Sequence, residues 1–193
     1  MKKKTNYNLP IVFMIVLAMI AIVIFLSSRQ SSKNEQLSAS STKSISEYNQ
    51  LMSVDFLTQY PDSPQQLLEL NNRYVKYLYG GSVSESEIHD IIEKQREMFA
   101  PALLELNELE TSVSVATLQI LQMQSDAKRI IDIKNSLPTY DKSDENICIV
   151  TVTQYMTNNQ QDIIDYTLVK IDNRWKIFRF DRPAPADEAD GNE

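Results

Sequence analysis

The sequence predicts an α+β domain behind a single N-terminal transmembrane helix, and three observations carry that prediction. The first is Leu9 to Leu26, LPIVFMIVLAMIAIVIFL, eighteen residues without a charge directly behind Lys2, Lys3 and Lys4. The second is a change of period. Apolar residues recur at helical spacing between Ser63 and Gln124, whereas short runs rich in Ile, Val, Thr and aromatics follow Ala127. The third is the stretch SSRQSSKNEQLSASSTKS at 27–44, which carries almost nothing that a core could bury.

As a helix, the charge-free run spans roughly 27 Å, a little under the ~30 Å of a bilayer core, and Ser27 extends it. Three lysines precede the span and only Arg29 and Lys33 follow closely, so the positive-inside bias places the N-terminus in the cytoplasm. A cleaved signal peptide also has basic residues before an apolar run. This run, however, exceeds the ~7–15 residues of a secretory core and is followed by no A-x-A-like site. A lipoprotein needs a cysteine just after the span, and the single cysteine is Cys148. The expected layout is a cytoplasmic tip at 1–8, a transmembrane helix at 9–27, a flexible linker at 28–44, an extracytoplasmic domain at 45–182 and a disordered acidic tail at 183–193. A flexible linker of this length has a typical reach of roughly 20–25 Å, which keeps the domain near the membrane surface.

The chain has formal charge −7, and setting aside Lys2 to Lys4 leaves 16 Lys+Arg against 26 Asp+Glu. Nucleic acid is excluded as a partner, because phosphate neutralisation needs clustered cations. Asp187, Glu188, Asp190 and Glu193 gather in a tail without apolar periodicity. One cysteine makes no intramolecular disulfide, and NICIVTV places Cys148 inside a strand as a core residue.

The first clear helix begins at Ser63-Pro64-Gln65-Gln66, with Ser63 as cap, Pro64 in the first turn and Gln66 completing a capping box. Leu67, Leu70, Tyr74, Tyr77 and Leu78 continue its apolar face, and Gly80-Gly81 is expected to end it as a left-handed cap. A second box at Ser84 and Glu87 opens a helix carrying Ile88, Ile91, Ile92, Gln95, Met98 and Phe99, which Pro101 must interrupt. ALLEL after that proline and the segment Val113 to Gln124 supply further helical pieces, although the valines and threonine of the latter also suit a strand.

Four strands follow: RIIDIKN, NICIVTVTQYM, DIIDYTLVKI and RWKIFRF. The breaks at Thr157 to Gln161 and at Asp172-Asn173 are hairpin-sized, so the last three strands form an antiparallel meander. The second strand is apolar on both faces, with Ile147, Ile149 and Tyr155 on one and Cys148, Val150, Val152 and Met156 on the other, which makes it central. Helices followed by such a sheet give an α+β domain, with helices on the concave face of a four-stranded sheet.

The C-terminal YTLVKIDNRWKIFRF, a strand ending at Ile171, an Asp-Asn turn and then Trp175-Lys176-Ile177, resembles the closing signature of nuclear-transport-factor-2-like (NTF2-like) domains. Together with the short tip and single span, the chain is similar to the membrane-anchored NTF2-like proteins of Gram-positive bacterial envelopes, over about Ser63 to Arg182. The resemblance implies a cone of helices packed on a curved sheet, a fold that hosts enzymes, binders and scaffolds alike.

Isomerase chemistry in such a cone needs a carboxylate base facing oxyanion donors in an apolar pocket. Asp165 and Tyr166 are neighbours on a strand and point to opposite faces. Asp132 with Tyr155 or Tyr166 is a pairing that only composition allows. His89, between Ile88 and Asp90 in an acidic helix, reads as a solvated residue. One His and one Cys leave no nitrogen–sulfur metal site, and Tyr140 to Glu145 lacks the glycine and spacing of a calcium loop. Three glycines, all in turns or the tail, make no phosphate-binding loop. The expectation is therefore no catalytic, cofactor-binding or metal-binding residue and no cofactor.

Two non-catalytic functions remain. One is an interaction domain of the cell envelope, a scaffold subunit resembling that of type IV secretion machines, with a protein partner beside its membrane anchor. The other is a pocket for a small apolar ligand or a peptide. A cone packed solid by Trp175, Phe178, Phe180 and the tyrosines, with an apolar outer patch, favours the first, whereas an open cone with a few inward polar groups favours the second.

The topology is open to direct test. Protease added to intact spheroplasts is expected to remove the domain from the membrane-bound chain. A domain that survives this treatment, or a shortened chain released to the medium without protease, argues against the anchor.

Overall fold

The computed structural model describes residues 47–182. The cytoplasmic tip, the transmembrane helix 9–27, the linker 28–44 and the acidic tail 183–193 lie outside the described residues, and among the described residues no helix is long and apolar enough to cross a membrane. What is described is an α+β domain. A short helical segment at 47–52 leads into α1 (Pro64–Gly80), α2 (Glu85–Arg96), α3 (Pro101–Leu106) and α4 (Leu109–Ser125), followed by β1 (Ile130–Asn135), β2 (Thr139–Tyr140), β3 (Ile147–Met156), β4 (Gln161–Ile171) and β5 (Arg174–Asp181).

The first three of these helices start for local reasons. At α1 the Ser63 hydroxyl accepts from the Gln66 N–H, satisfying one orphan donor, and Pro64 fills the first turn where its missing N–H costs nothing. Gln66 reaches one residue further back than a capping box requires and accepts from the Asp62 N–H at 2.9 Å. The box at α2 is complete. The Ser84 hydroxyl accepts from the Glu87 N–H, and the Glu87 carboxylate accepts from the Ser84 N–H at 2.7 Å. Pro101 ends one helical run by opening the next, at the first turn of α3.

The expected left-handed cap at Gly80-Gly81 is not what ends α1. Gly81 is extended, with φ −157°. Gly80 serves close approach instead, since a Cβ there would stand 3.2 Å from the Ile130 carbonyl oxygen. A left-handed cap closes α4, on Ala127 at φ 53°. The N–H groups of Ala127 and Lys128 reach back to the Gln124 and Met123 carbonyls, so the cap bonds hold a non-glycine residue in a region it normally avoids. The β-branched residues of α4 do not turn it into a strand. Thr117 donates its hydroxyl to the Val113 carbonyl, and Ala116 and Ile120 are buried against the other helices.

The sheet is antiparallel in the order β1-β3-β4-β5, with β3 between β1 and β4 and the last three strands forming the meander. It holds five strands rather than four. β2 pairs with β3 beyond the end of β1, and Ser136 joins the two pairings by donating its N–H to the Thr151 carbonyl and accepting the Thr151 N–H on its hydroxyl. Pro138 lies in this interruption and has no N–H for the ladder. At the β4–β5 turn Asp172 and Asn173 both have positive φ, 48° and 63°, the pattern that suits the twist of a two-residue hairpin. Beyond β5, the Ala100 N–H donates to the Ile177 carbonyl and the Ile177 N–H to the Met98 carbonyl, so residues 98–100 cap the sheet's edge.

β3 is central, but only one of its apolar faces is covered. Cys148, Val150 and Val152 are fully buried against the helices, together with Leu168, Ile177, Leu67, Leu68, Tyr74 and Ile91. Ile149, on the other face, is 45% exposed. Two bulges adjust the register. Ile131 is an extra residue on β1, and Phe178 is an extra residue on β5 opposite Leu168. That bulge overturns the expectation that Phe178 fills the core, because Ile177 takes the position and Phe178 is left 42% exposed.

The segment before α1, which has no sequence signature of its own, is held by tyrosines. Tyr60 donates to the Trp175 carbonyl at 2.7 Å, Tyr74 to the Leu51 carbonyl at 2.9 Å, and Tyr48 to Asp90 at 2.7 Å. Leu51 and Phe56 are buried beneath it. Trp175 is 6% exposed and belongs to the same apolar cluster. In a fragment spanning 45–182, Trp175→Ala is expected to destabilise by about 3–5 kcal/mol, and His89→Ala by no more than about 0.5 kcal/mol. Denaturant melts of the two variants check this. A Trp175→Ala variant that melts like the parent contradicts the burial.

Candidate functional site

The uncovered sheet face is a feature that the core leaves unexplained. Along β3 it carries Ile147, Ile149, Thr151, Thr153 and Tyr155. The register sets these opposite Val169, Thr167, Asp165, Ile163 and Gln161 of β4. Ile149 and Ile163 are 45% and 42% exposed, while Ile147, Val169 and Tyr155 are half-buried. Thr151 donates its hydroxyl to Asp165 at 2.6 Å, and the Lys134 ammonium stands 5.3 Å from the centre of the Tyr155 ring. The face is thus a strip of apolar and threonine side chains with Asp165 at its middle and Lys134 at its border, and no described helix covers it.

The residues that could have carried acid–base chemistry are dispersed. Asp165 lies on this outer face and Tyr166 on the inner one, as their adjacency requires. Asp132 is paired with Tyr155 across the β1–β3 ladder, yet it is exposed and separated from Tyr166 by the thickness of the sheet. The interior does hold a polar group of its own. Gln95 donates to Asn71 at 2.8 Å, and the Asn71 amide lies against the Tyr166 phenol. Burial pushes that phenol up to about 12, and Phe180 packs on its ring at 5.8 Å. Burial likewise raises Tyr79, whose hydroxyl donates to Gln119 at 3.0 Å. These are protonated phenols inside packed apolar surroundings, with no carboxylate hydrogen-bonded to them.

His89 is partly exposed, 3.6 Å from Asp90 and 4.0 Å from Glu110, and lies away from any enclosed space. Tyr140 belongs to β2, and 141–146 is the turn that follows it. Asp141 accepts from the hydroxyl and N–H of Ser143 and from the Asp144 N–H, and those bonds hold its carboxyl below the usual range. Among the described residues no three His, Cys, Asp or Glu side chains converge as a metal site requires.

Clefts among the described residues include two at the surface. One, of about 410 Å³, lies between α1 and β1 and is lined by Glu69, Asn72, Arg73, Lys76, Asp132 and Asn135. Asn72 donates to Asn135 at 2.6 Å there, while its own carbonyl oxygen is buried without a partner. Arg73 is held by Glu47 at 3.0 Å. The other, of about 600 Å³, lies where the end of α2 and the start of α3 meet the β4–β5 hairpin. Its residues, Arg174 and Lys176 among them, have no recognisable spacing in the sequence, because the chain brings them together only through the hairpin and the 98–100 bridge.

Comparison with protein families matches residues 1–180 to a domain of unknown function (DUF6715), a stretch that takes in the charge-free run Leu9 to Leu26 together with the α+β domain. No match is found among the curated proteins.

The setting of Cys148 is testable. It is fully buried near the start of β3, and burial pushes its thiol up to about 11. A raised thiol pKa leaves little thiolate at neutral pH. Alkylation of the native fragment 45–182 at pH 8 is expected to proceed only as fast as the domain opens, and to become rapid in denaturant. Rapid native labelling would place the thiol at an accessible site.

Proposed function

The chain belongs to the DUF6715 family, and for this member we propose a non-catalytic interaction domain of the bacterial cell envelope, anchored by one membrane span and presented outside the cytoplasm as a scaffold subunit. In this reading the α+β domain is an NTF2-like cone, with the helices in the order before the sheet that such a cone requires. The anchor rests on the eighteen-residue charge-free run behind three lysines.

The observation that carries the interaction reading is the uncovered sheet face. An exposed apolar stretch marks an interaction surface, and on this face Ile149 and Ile163 are exposed beside half-buried Ile147, Val169 and Tyr155, with the Thr151–Asp165 pair between the two isoleucines. An apolar ligand inside the cone is the weaker reading. Tyr74, Met98, Leu168 and Ile177 are fully buried in the interior, where a ligand would have to displace them.

A photo-activatable residue placed at Ile149 in the full-length protein, in intact cells, is expected to give a discrete cross-linked adduct. The same residue at Glu93, exposed on α2, is expected to give none. Identical background at both positions, or an adduct only at Glu93, counts against the sheet face as the interaction surface.

A further inference from the structure

We propose that the cleft between the α2–α3 junction and the β4–β5 hairpin binds a small organic anion, a carboxylate or phosphate carried on an apolar body. This is independent of the interaction reading, since the cleft lies at a different place from the Ile149 strip.

The argument begins with charge. The protein carries −7 overall, yet Arg96, Arg174 and Lys176 converge on one cleft of about 600 Å³. Two of these cations share a single aromatic ring. The Arg174 guanidinium is 5.0 Å and the Lys176 ammonium 4.6 Å from the centre of Tyr60. Tyr60 is itself fixed by its hydrogen bond to the Trp175 carbonyl, so the ring is a rigid platform. Each cation gains from the ring face, but each also raises the cost of the other. Burial first, and the Arg174 charge second, lower the pKa of Lys176.

The counter-charges nearby do not balance this. Lys176 donates to the Glu97 backbone carbonyl at 2.6 Å, while the Glu97 carboxylate is taken by Lys94 at 2.9 Å. Asp172 is the remaining carboxylate of the lining. Arg96 is positioned from the opposite wall, where its guanidinium donates to the Asn107 carbonyl and, at 3.4 Å, to the Ser112 hydroxyl. Three cations held by carbonyls, a hydroxyl and a ring are only partly offset by the Glu97 carboxylate, which acts on Lys176, and by Asp172, so an oxyanion that meets them gains charge-assisted hydrogen bonds.

The rest of the lining selects the body of the ligand. Phe99, Pro101, Leu104 and Ile171 form apolar walls beside the cations. A hydrated inorganic ion leaves those walls in contact with water, whereas an anion attached to a flat apolar group covers them.

Titration calorimetry of the full-length protein in detergent, with benzoate, phenyl phosphate, uncharged benzamide and inorganic phosphate, tests the assignment. Benzoate, phenyl phosphate or both are expected to bind at least about tenfold more tightly than benzamide and inorganic phosphate. Benzoate alone identifies a carboxylate site and phenyl phosphate alone a phosphate site, and either supports the proposal. Arg174→Gln is expected to weaken binding about two- to fivefold, the size of a partly exposed charge pair. Asp172→Asn is expected to tighten it by a similar factor. Asn accepts the positive φ of 48° at that position as readily as Asp, so this second variant keeps the hairpin and reads charge alone. Equal binding of benzamide and benzoate, an affinity indifferent to both substitutions, or no binding by either aromatic anion in the millimolar range overturns the proposal. None of these results alters the cross-linking expected at Ile149.

Discussion

Cys148, Val150 and Val152 stand in one file on β3 without solvent exposure, and across the ladder Leu168 on β4 and Ile177 on β5 carry the same apolar layer to the sheet's edge. The helices exist in their observed places because this layer must be covered. Burying one Leu, Ile or Val side chain contributes about 1.5–3 kcal/mol, and α1 alone sets Leu67, Leu68, Tyr74 and Leu78 against it. No comparable layer forms on the other face, where Thr151, Asp165 and Thr167 separate the isoleucines. The one-sided core therefore determines both what is rigid and what is left to solvent.

The N-terminal segment and the helix–sheet stack are joined by hydrogen bonds that span long stretches of chain. Tyr60 to Trp175 and Tyr74 to Leu51 each tie a phenol to a backbone carbonyl in a half-buried or buried place. Such bonds do little for net stability when water is an alternative partner. Losing one here would strand a carbonyl away from water, which costs more than the bond contributes. The same logic holds for the Asn71 side-chain carbonyl oxygen, which is enclosed beside Tyr166 and accepts from Gln95. These contacts fix the relative placement of elements that apolar packing alone would allow to slide.

Two kinds of surface result. The sheet strip around Ile149 and Ile163 mixes exposed isoleucines with threonines and Asp165, and is the surface proposed to meet a protein partner. The cleft around Arg174 and Lys176 is cationic and walled by apolar side chains, suited to a small anion. The strip lies on the unbroken β3–β4 ladder, whereas the cleft depends on irregularities at the sheet's edge. The bulge at Phe178 lets Ile177 stay in the core while β5 continues, and the bridge from Met98 and Ala100 to Ile177 carries the α2–α3 junction to the hairpin. Without that bridge Arg96 and Arg174 would belong to separate parts of the surface.

Much of the fold was legible in the sequence because its signals are local. Ser63-Pro64 and Ser84 with Glu87 marked helix starts through the chemistry of orphan N–H groups, and Asp172-Asn173 marked a hairpin through its tolerance of positive φ. The apolar residues on both faces of NICIVTVTQYM identified the central strand, and the burial of Trp175 and Cys148 agreed with their settings. Other features were hidden because they depend on residues distant in sequence. The apolar residues on both faces of β3 did not reveal which face the helices would cover. Gly80 was read as a cap, although its smallness answers to the Ile130 carbonyl. The place of Phe178 waited on a bulge set by Leu168, and β2 on a ladder interrupted near Pro138. Neither cleft had a motif, since their charges are gathered by hairpin and bridge rather than by spacing. Local chemistry chose the elements of this protein, and only the closing of the helices over one face of the sheet decided which side chains became core and which became surface, because burial belongs to the packed pair and not to either segment alone.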